Sequence, residues 1–434
     1  MALPRRNSVL SSAGPKELRN LDEITSYLPP GSSVVLHSAY AEPRFLAQEL
    51  ARVGTGLRDV RVYTLMPAGG SPYAAPELDR HLAIRTFLPG KALRKAVDAG
   101  RAEVLRVPLS AIPGMFTNKL ITADLLLLQL SPPDQHGLMS MGVSVDYMPA
   151  VLSQRPTVIA EVNPAMPHTC GDSCIHIDQV DYVVEARTPP QFLESAVADE
   201  VDRQIAGHVS ELIGRGDVLQ LGVGAIADLV LGHLGHLSNL GIHSGIITDA
   251  VVPLIERGIV TNATKRTFVG KSIATMAAGT QAFYDFLHRN ALVEFHPCAL
   301  THDAGTLAAI NQLCAINTVL QIDLEGRANA EVMDGRTISC VGGSPDFAKG
   351  ATVAEGGKSV VVLRSSSRDG QRSNILSQLP AGVPVTLDGS VIDFVVTEYG
   401  VARIRGLSSS SCANALIDIA HPAHRLDLRR NLRQ

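Results

Sequence analysis

The 434-residue chain has no tryptophan, only six cysteines, and no apolar run near the roughly 20 residues needed to cross a bilayer. Each shortage excludes something. Without Trp, and with ten Phe and eight Tyr, the cores have to be aliphatic, as those of large α/β sheets are. Six cysteines are too sparse for a disulfide framework, and Cys170 and Cys174 have no second pair at metal-ligand spacing. Partly buried thiols in a reducing cytoplasm are the expectation, with His168 and His176 beside them structural, and no metal site is expected. The formal net charge of −4, with no basic run and no interleaving of basic and aromatic residues, gives nucleic acid nothing to hold. Two arginines open MALPRRNSVLSSAG, but no apolar segment follows them, so no secretory leader is expected.

What is present reads as a well-buried globule, 45% hydrophobic and 18% charged. The length exceeds one ordinary core, so two domains are the default. In the first half, strand and helix patterns alternate. SSVVLHS (32–38), DVRVYTLM (59–66), AEVLRVPL (102–109), LLLLQL within 123–130, PTVIAEV (156–162) and DYVVEA (181–186) read as strands. Several are apolar on both faces, as strands of a covered parallel sheet are. Between the first two, AEPRFLAQELARVG places Phe45, Leu46, Leu50 and Val53 at helical spacing and stops at a glycine. After the Pro pair at 189–190 comes a helical stretch, and then the alternation restarts with DVLQLGV, AIADLVLGHL, LGIHSG and ITDAVVPLIERG. Domains of residues 1–190 and 191–434 are therefore expected, both open-sheet α/β. Later strands are expected at 318–324, 358–365 and 391–400.

Three glycine-rich turns could do chemistry. In QLGVGAIAD (220–228), Gly222 and Gly224 leave backbone amides uncovered before a helix N-terminus, which suits either a tight turn or an anion contact. CVGGSPDFAKGA (340–351) can bring main chain against a bulky ligand but lacks the GK[ST] of a phosphate loop. SPPDQHGLMSMGVSVD (131–146) follows LLLLQL at a strand end where open sheets bind ligands, though a plain connector is equally natural. His243 and Ser244 in GIHSGIITD are no nucleophile–base pair, because adjacent strand residues point to opposite faces.

Together with EVNPAMPHTCGDSCIHID (161–178), GTQAFYDFL (279–287), CAINTVLQIDLEGRANAE (314–331) and VTEYGVARIRGL (396–407), these segments run in a recognisable order over nearly the whole chain. The ordered set resembles the acetyl-CoA hydrolase/transferase family of class I CoA-transferases, 4-hydroxybutyrate CoA-transferase among them. The resemblance implies two open-sheet α/β domains of CoA-transferase type, a homo-oligomer, and exchange of CoA between a short-chain acyl-CoA and a small carboxylate. No cofactor is implied, coenzyme A being a substrate. It makes Gly222-Val223-Gly224 a mobile loop beside the active site, with backbone near Ile226 facing the thioester oxygen. It makes Asn317 an oxyanion donor, Gly342 and Gly343 part of the CoA and carboxylate sites, and Phe87 an acyl-pocket aromatic. One positioned oxyanion donor is worth roughly 3 kcal/mol.

The chain departs from the family at one position. The resemblance places a glutamate after His-Ser, where it attacks the acyl-CoA and carries CoA as a glutamyl thioester. This chain has Gly245. Glu161 and Glu42 are the candidate substitutes, and Asp249 is expected to cap the following helix. CoA-transfer without a glutamyl-CoA intermediate is the first expectation. Hydrolysis, with water in the volume the glutamate vacates, comes second, and binding without turnover third.

Overall fold

Strands that are apolar on both faces need cover on both sides, and the chain provides it twice. A computed structural model describes residues 14–194 and 197–432. The stretch 1–13, where no leader is expected, lies outside those residues. The first sheet takes β1 (Lys16–Glu17), β2 (Ser33–Leu36), β3 (Val60–Thr64), β4 (Leu82–Thr86), β5 (Ala102–Val104), β6 (Leu125–Leu130), β7 (Thr157–Val162) and β8 (Tyr182–Glu185). Its order is β1-β8-β7-β6-β2-β3-β4-β5, parallel throughout. All six residues of β6 are buried. Helix α1 (Arg44–Val53) buries the face its spacing predicts.

The second sheet takes β9 (Val218–Gln220), β10 (Gly241–Ile242), β11 (Leu313–Thr318), β12 (Lys358–Val362), β13 (Phe394–Thr397) and β14 (Gly400–Arg403). Its order is β10-β9-β11-β12-β13-β14, parallel except for the last pair. The α/β class with open parallel sheets is thus the expected one.

Several element boundaries differ from the sequence reading, each for a local reason. β1 and β4 were not anticipated: β1 is two residues long, and β4 (LAIRT) carries Arg85 in its middle. β5 stops at Val104 because Pro108 leaves the sheet to bridge Gly342 of the other half. The strand expected at 318–324 is met by Gln321–Asp323, while the longer strand just before it was not expected. β11 ends at Thr318, and Gln321–Asp323 joins a separate small sheet with Ala328–Asn329 and Ile375–Leu376.

In each sheet the chain reverses its direction of travel once, and there the strand ends diverge. In the first sheet that point lies between β2 and β6, and the chain fills it itself. The 131–146 loop folds back so that the Ser144 carbonyl meets His37 Nε2 at 2.7 Å, while Ser144 Oγ and Asp146 pair with Ser38. Residues 139–146 form a buried plug there, while Pro132, Pro133, Gln135, His136 and Leu138 stay exposed. Glu161 and Glu42 are equally committed. Helix α1 has no side-chain cap of its own, and Glu161 Oε2 accepts from Phe45 N at 2.9 Å and Leu46 N at 3.1 Å. Glu42 accepts from Tyr73 Oη at 2.7 Å and Gly69 N at 2.6 Å.

Burial pushes the carboxyls of Glu161 and Glu42 up from 4.5 to about 7. Unfolded, they release their protons near 4.5, whereas folded they hold them. Their contribution therefore favours folding below 4.5 and is lost as pH rises toward 7. Glu161→Gln removes one such titration. In urea denaturation at a series of pH values, the variant is expected to gain stability relative to wild type between 4.5 and about 7. A difference that stays constant across that range would refute the assignment.

Candidate active site

The second sheet leaves its divergence open. β10 and β11 lie on opposite sides of β9, so the chain leaves the end of β9 one way and that of β11 the other. Gln220 ends β9 and Asn317 is the penultimate residue of β11. Their side-chain amides pair reciprocally, Asn317 Nδ2 donating to Gln220 Oε1 at 3.2 Å and Gln220 Nε2 to Asn317 Oδ1 at 3.3 Å. Each NH₂ keeps a second proton for a ligand. Both residues line a cavity of about 400 Å³ between the two sheets.

The cavity wall is assembled from both halves. Leu65, Met66 and Phe87 come from the first, and Gly222, Val223, Gly245, Gly342 and Gly343 from the second. Leu109 N donates to the Gly342 carbonyl at 2.9 Å, and Ser110 Oγ donates to Asp346 at 2.7 Å. Arg106 grips buried Glu331 through two hydrogen bonds, of 2.7 and 3.1 Å. Three adjoining contacts thus strap the glycine loop to the first half. The loop turns at Gly342, φ 59°, and enters helix α3 (Ser344–Val353) at Gly343. Gly224, at φ 140° and ψ 170°, has a backbone that essentially only glycine adopts; it leads into helix α2 (Ala225–His233). The N–H groups of Gly222, Val223 and Gly343 donate to nothing among the described residues. They are available to an anion or a developing oxyanion.

Seven of the expected site residues therefore meet at one cavity. Gly224 and Ile226 lie beyond its lining, at the start of α2. Glu161 and Glu42, committed elsewhere, do not line it, so neither stands in for the missing carboxylate. Phe87 is buried with its ring 5.5 Å from that of Tyr147. Asp249 does not cap the turn it begins; its carboxylate accepts from Thr280 N at 3.1 Å instead. Cys170 and Cys174 are free and half-buried, and no group of three or more metal-ligating side chains occurs among the described residues.

His243 and Ser244 diverge as strand neighbours should. His243 Nε2 donates to the Thr301 carbonyl at 3.0 Å, and burial, then Lys265, pushes its imidazole down to about 3. Ser244 Oγ reaches the Leu221 carbonyl at 3.0 Å and steadies the GVG turn. Each holds a neighbouring segment in place. One of those segments carries His302, which the sequence reading missed because a lone histidine in CALTHDAG has no partner spacing. Its ring lines the cavity beside Gly245. A Cβ built on Gly245 would lie 3.0 Å from Nε2, and one on Gly343 only 2.5 Å. An imidazole therefore occupies part of the volume beside Gly245.

Residues 5–194 match the model of the acetyl-CoA hydrolase/transferase N-terminal domain, and residues 279–432 that of the C-terminal domain. The chain is similar to the 4-hydroxybutyrate coenzyme A transferase of Clostridium kluyveri, 35% identical over 95% of this chain and 96% of that one. The acetyl-CoA hydrolase of Neurospora crassa is 26% identical over 94% of this chain and 87% of its own length. Among solved structures, RipA from Yersinia pestis matches with a TM-score of 0.89 at 30% identity, over 95% of this chain and 96% of that one.

The crowding around His302 is testable by adding one methyl at a time. Gly222→Ala meets nothing within 4 Å and is expected to change stability by less than about 0.5 kcal/mol. Gly245→Ala and Gly343→Ala press on a ring held by Thr301 and Phe347, and each is expected to cost about 1–3 kcal/mol, the second more than the first. Chemical denaturation should return that ranking, and combining Gly245→Ala with His302→Ala should relieve the penalty. Equal stabilities would mean the ring moves freely.

Proposed function

The chain belongs to the acetyl-CoA hydrolase/transferase family, and on that premise we propose that its cavity takes the thioester of a short-chain acyl-CoA and passes the acyl group to water. Coenzyme A is substrate and product, and the reading calls for no further cofactor. The two domains, divided near residue 190, each supply one wall. The observation that carries this reading is the composition of the wall. It offers the Asn317 amide and the free N–H groups of Gly222, Val223 and Gly343, yet no Asp or Glu among its described residues. Attack on a thioester carbonyl places negative charge on its oxygen, which such donors stabilise. A cycle that parks CoA on the protein needs a carboxyl there, and position 245 has none.

The sequence alone puts CoA-transfer first; a cavity wall without Asp or Glu among its described residues supports hydrolysis instead. Transfer keeps one specific support: the 35% identical relative is a CoA-transferase. On that second reading the acceptor carboxylate attacks directly, with both substrates bound together and no enzyme thioester.

Incubation with acetyl-, propionyl- and butyryl-CoA and labelled acetate distinguishes the two. Free CoA released without an acceptor supports hydrolysis, and label entering acyl-CoA supports transfer. CoA binding without turnover across the panel would overturn both. In either case borohydride is expected to trap no thioester at residue 245. Asn317→Ala is expected to lower turnover about 10²–10³-fold, read as kcat, with a smaller change in KM.

A further inference from the structure

We propose that His302 is a catalytic residue, its Nε2 being the base that prepares water for attack on the thioester at the position where the family places a carboxylate. The proposal rests on the hydrolytic reading above.

The first support is why residue 245 is glycine at all. Gly245 does not adopt the left-handed backbone that would require it. What crowds a side chain there is the ring, because a Cβ would meet Nε2 at 3.0 Å and Cε1 of the same ring at 3.3 Å. Gly343, on the other side, would meet Nε2 at 2.5 Å. Two glycines thus clear room around one nitrogen.

The second support is how the ring is held. Thr301 Oγ1 donates to the Pro297 carbonyl at 3.4 Å, which leaves its oxygen free to accept from Nδ1–H of His302 at 2.8 Å. That arrangement puts the proton on Nδ1 and the lone pair on Nε2. Phe347 packs edge-on against the ring at 4.8 Å between centroids. The His302 backbone N–H donates to the Cys298 carbonyl at 3.0 Å, and His243 holds the Thr301 carbonyl. Nε2 itself has no hydrogen-bond partner among the described residues and faces the cavity that Asn317 and Gly222 line. An oriented imidazole with one nitrogen anchored and the other free is the arrangement of a general base.

Burial pushes this imidazole down from 6.5 to about 3, so it rests neutral at ordinary pH and is a weak proton acceptor until negative charge develops beside it. The positive charge it gains is opposed by burial until the thioester oxygen becomes negative beside it. The pair is thus stabilised in the transition state rather than in the resting enzyme.

In the reaction, water loses a proton to Nε2 as its oxygen bonds to the thioester carbon. The carbonyl electrons move onto oxygen, opposite the amide donors. Collapse of the tetrahedral adduct breaks the C–S bond, and Nε2 returns the proton to the departing CoA sulfur. The products are the free acid and CoA thiol, with Nε2 again unprotonated. No oxidant, reductant or metal enters the balance.

The test pairs two substitutions with a second nucleophile. Hydroxylamine attacks a thioester without a base, giving an acyl hydroxamate. With the best acyl-CoA of the panel, His302→Gln is expected to lower hydrolysis about 10²–10⁴-fold. It should keep CoA binding and hydroxamate formation within a few-fold of wild type. Thr301→Val, which leaves the ring but removes the Nδ1 partner, is expected to show a smaller loss of hydrolysis with hydroxamate formation again preserved. It serves as the readout should the buried glutamine fail to fold, as judged by circular dichroism. Hydrolysis by folded His302→Gln at the wild-type rate overturns the role of His302 alone. So does an equal loss of both reactions, which would mark a merely structural ring. A wild-type protein that releases no CoA overturns the hydrolytic reading, and the base with it.

Discussion

Everything at the site depends on one divergence. Where β10 and β11 flank β9 on opposite sides, the connections leave in opposite directions and no loop can close the gap from both. Gln220 and Asn317 stand on the two strand ends and join across it through paired amides. Two buried amides that satisfy each other cost little to desolvate, and each has a donor to spare. The first sheet has the same kind of gap between β2 and β6 but plugs it with its own residues 139–146. One switch point is therefore filled by the chain itself and the other opens into the cavity.

The open gap becomes a chamber only because the other half of the chain leans over it. Arg106, Leu109 and Ser110 hold the glycine loop and the start of α3 from across the seam. Glu331 is buried under Arg106, so breaking that pair would leave an uncompensated carboxylate inside the protein. Packing at the chamber wall is equally strict. Gly245 and Gly343 flank His302 closely, and Thr301, Phe347 and the His243 contact hold its ring in place.

Much of this was legible in the sequence, and the losses have physical causes. LLLLQL and PTVIAEV announced buried parallel strands, since only a strand covered on both faces reads as continuously apolar. LAIRT did not, because a mid-strand arginine breaks the run. The 318–324 expectation finds Gln321–Asp323 but misses Leu313–Thr318, because two short strands run one after the other and the letters do not say which sheet each joins. Glu161 and Glu42 looked available because a carboxylate's partners, here the N–H groups of α1 and the Tyr73 hydroxyl, lie far off in sequence. His302 was invisible for the same reason: 57 residue positions separate it from Gly245, and only folding brings them into contact.

The sequence by itself determined the α/β class, the family, and the absence of a carboxylate at residue 245, because periodicity and ordered motifs are local properties of the chain. Tertiary structure alone decided which expected residues share a chamber and which carboxylates are spent on helix ends. It also decided that an imidazole stands beside the glycine. Those are contacts between segments distant in sequence, and a contact exists only once the two sheets have packed against each other.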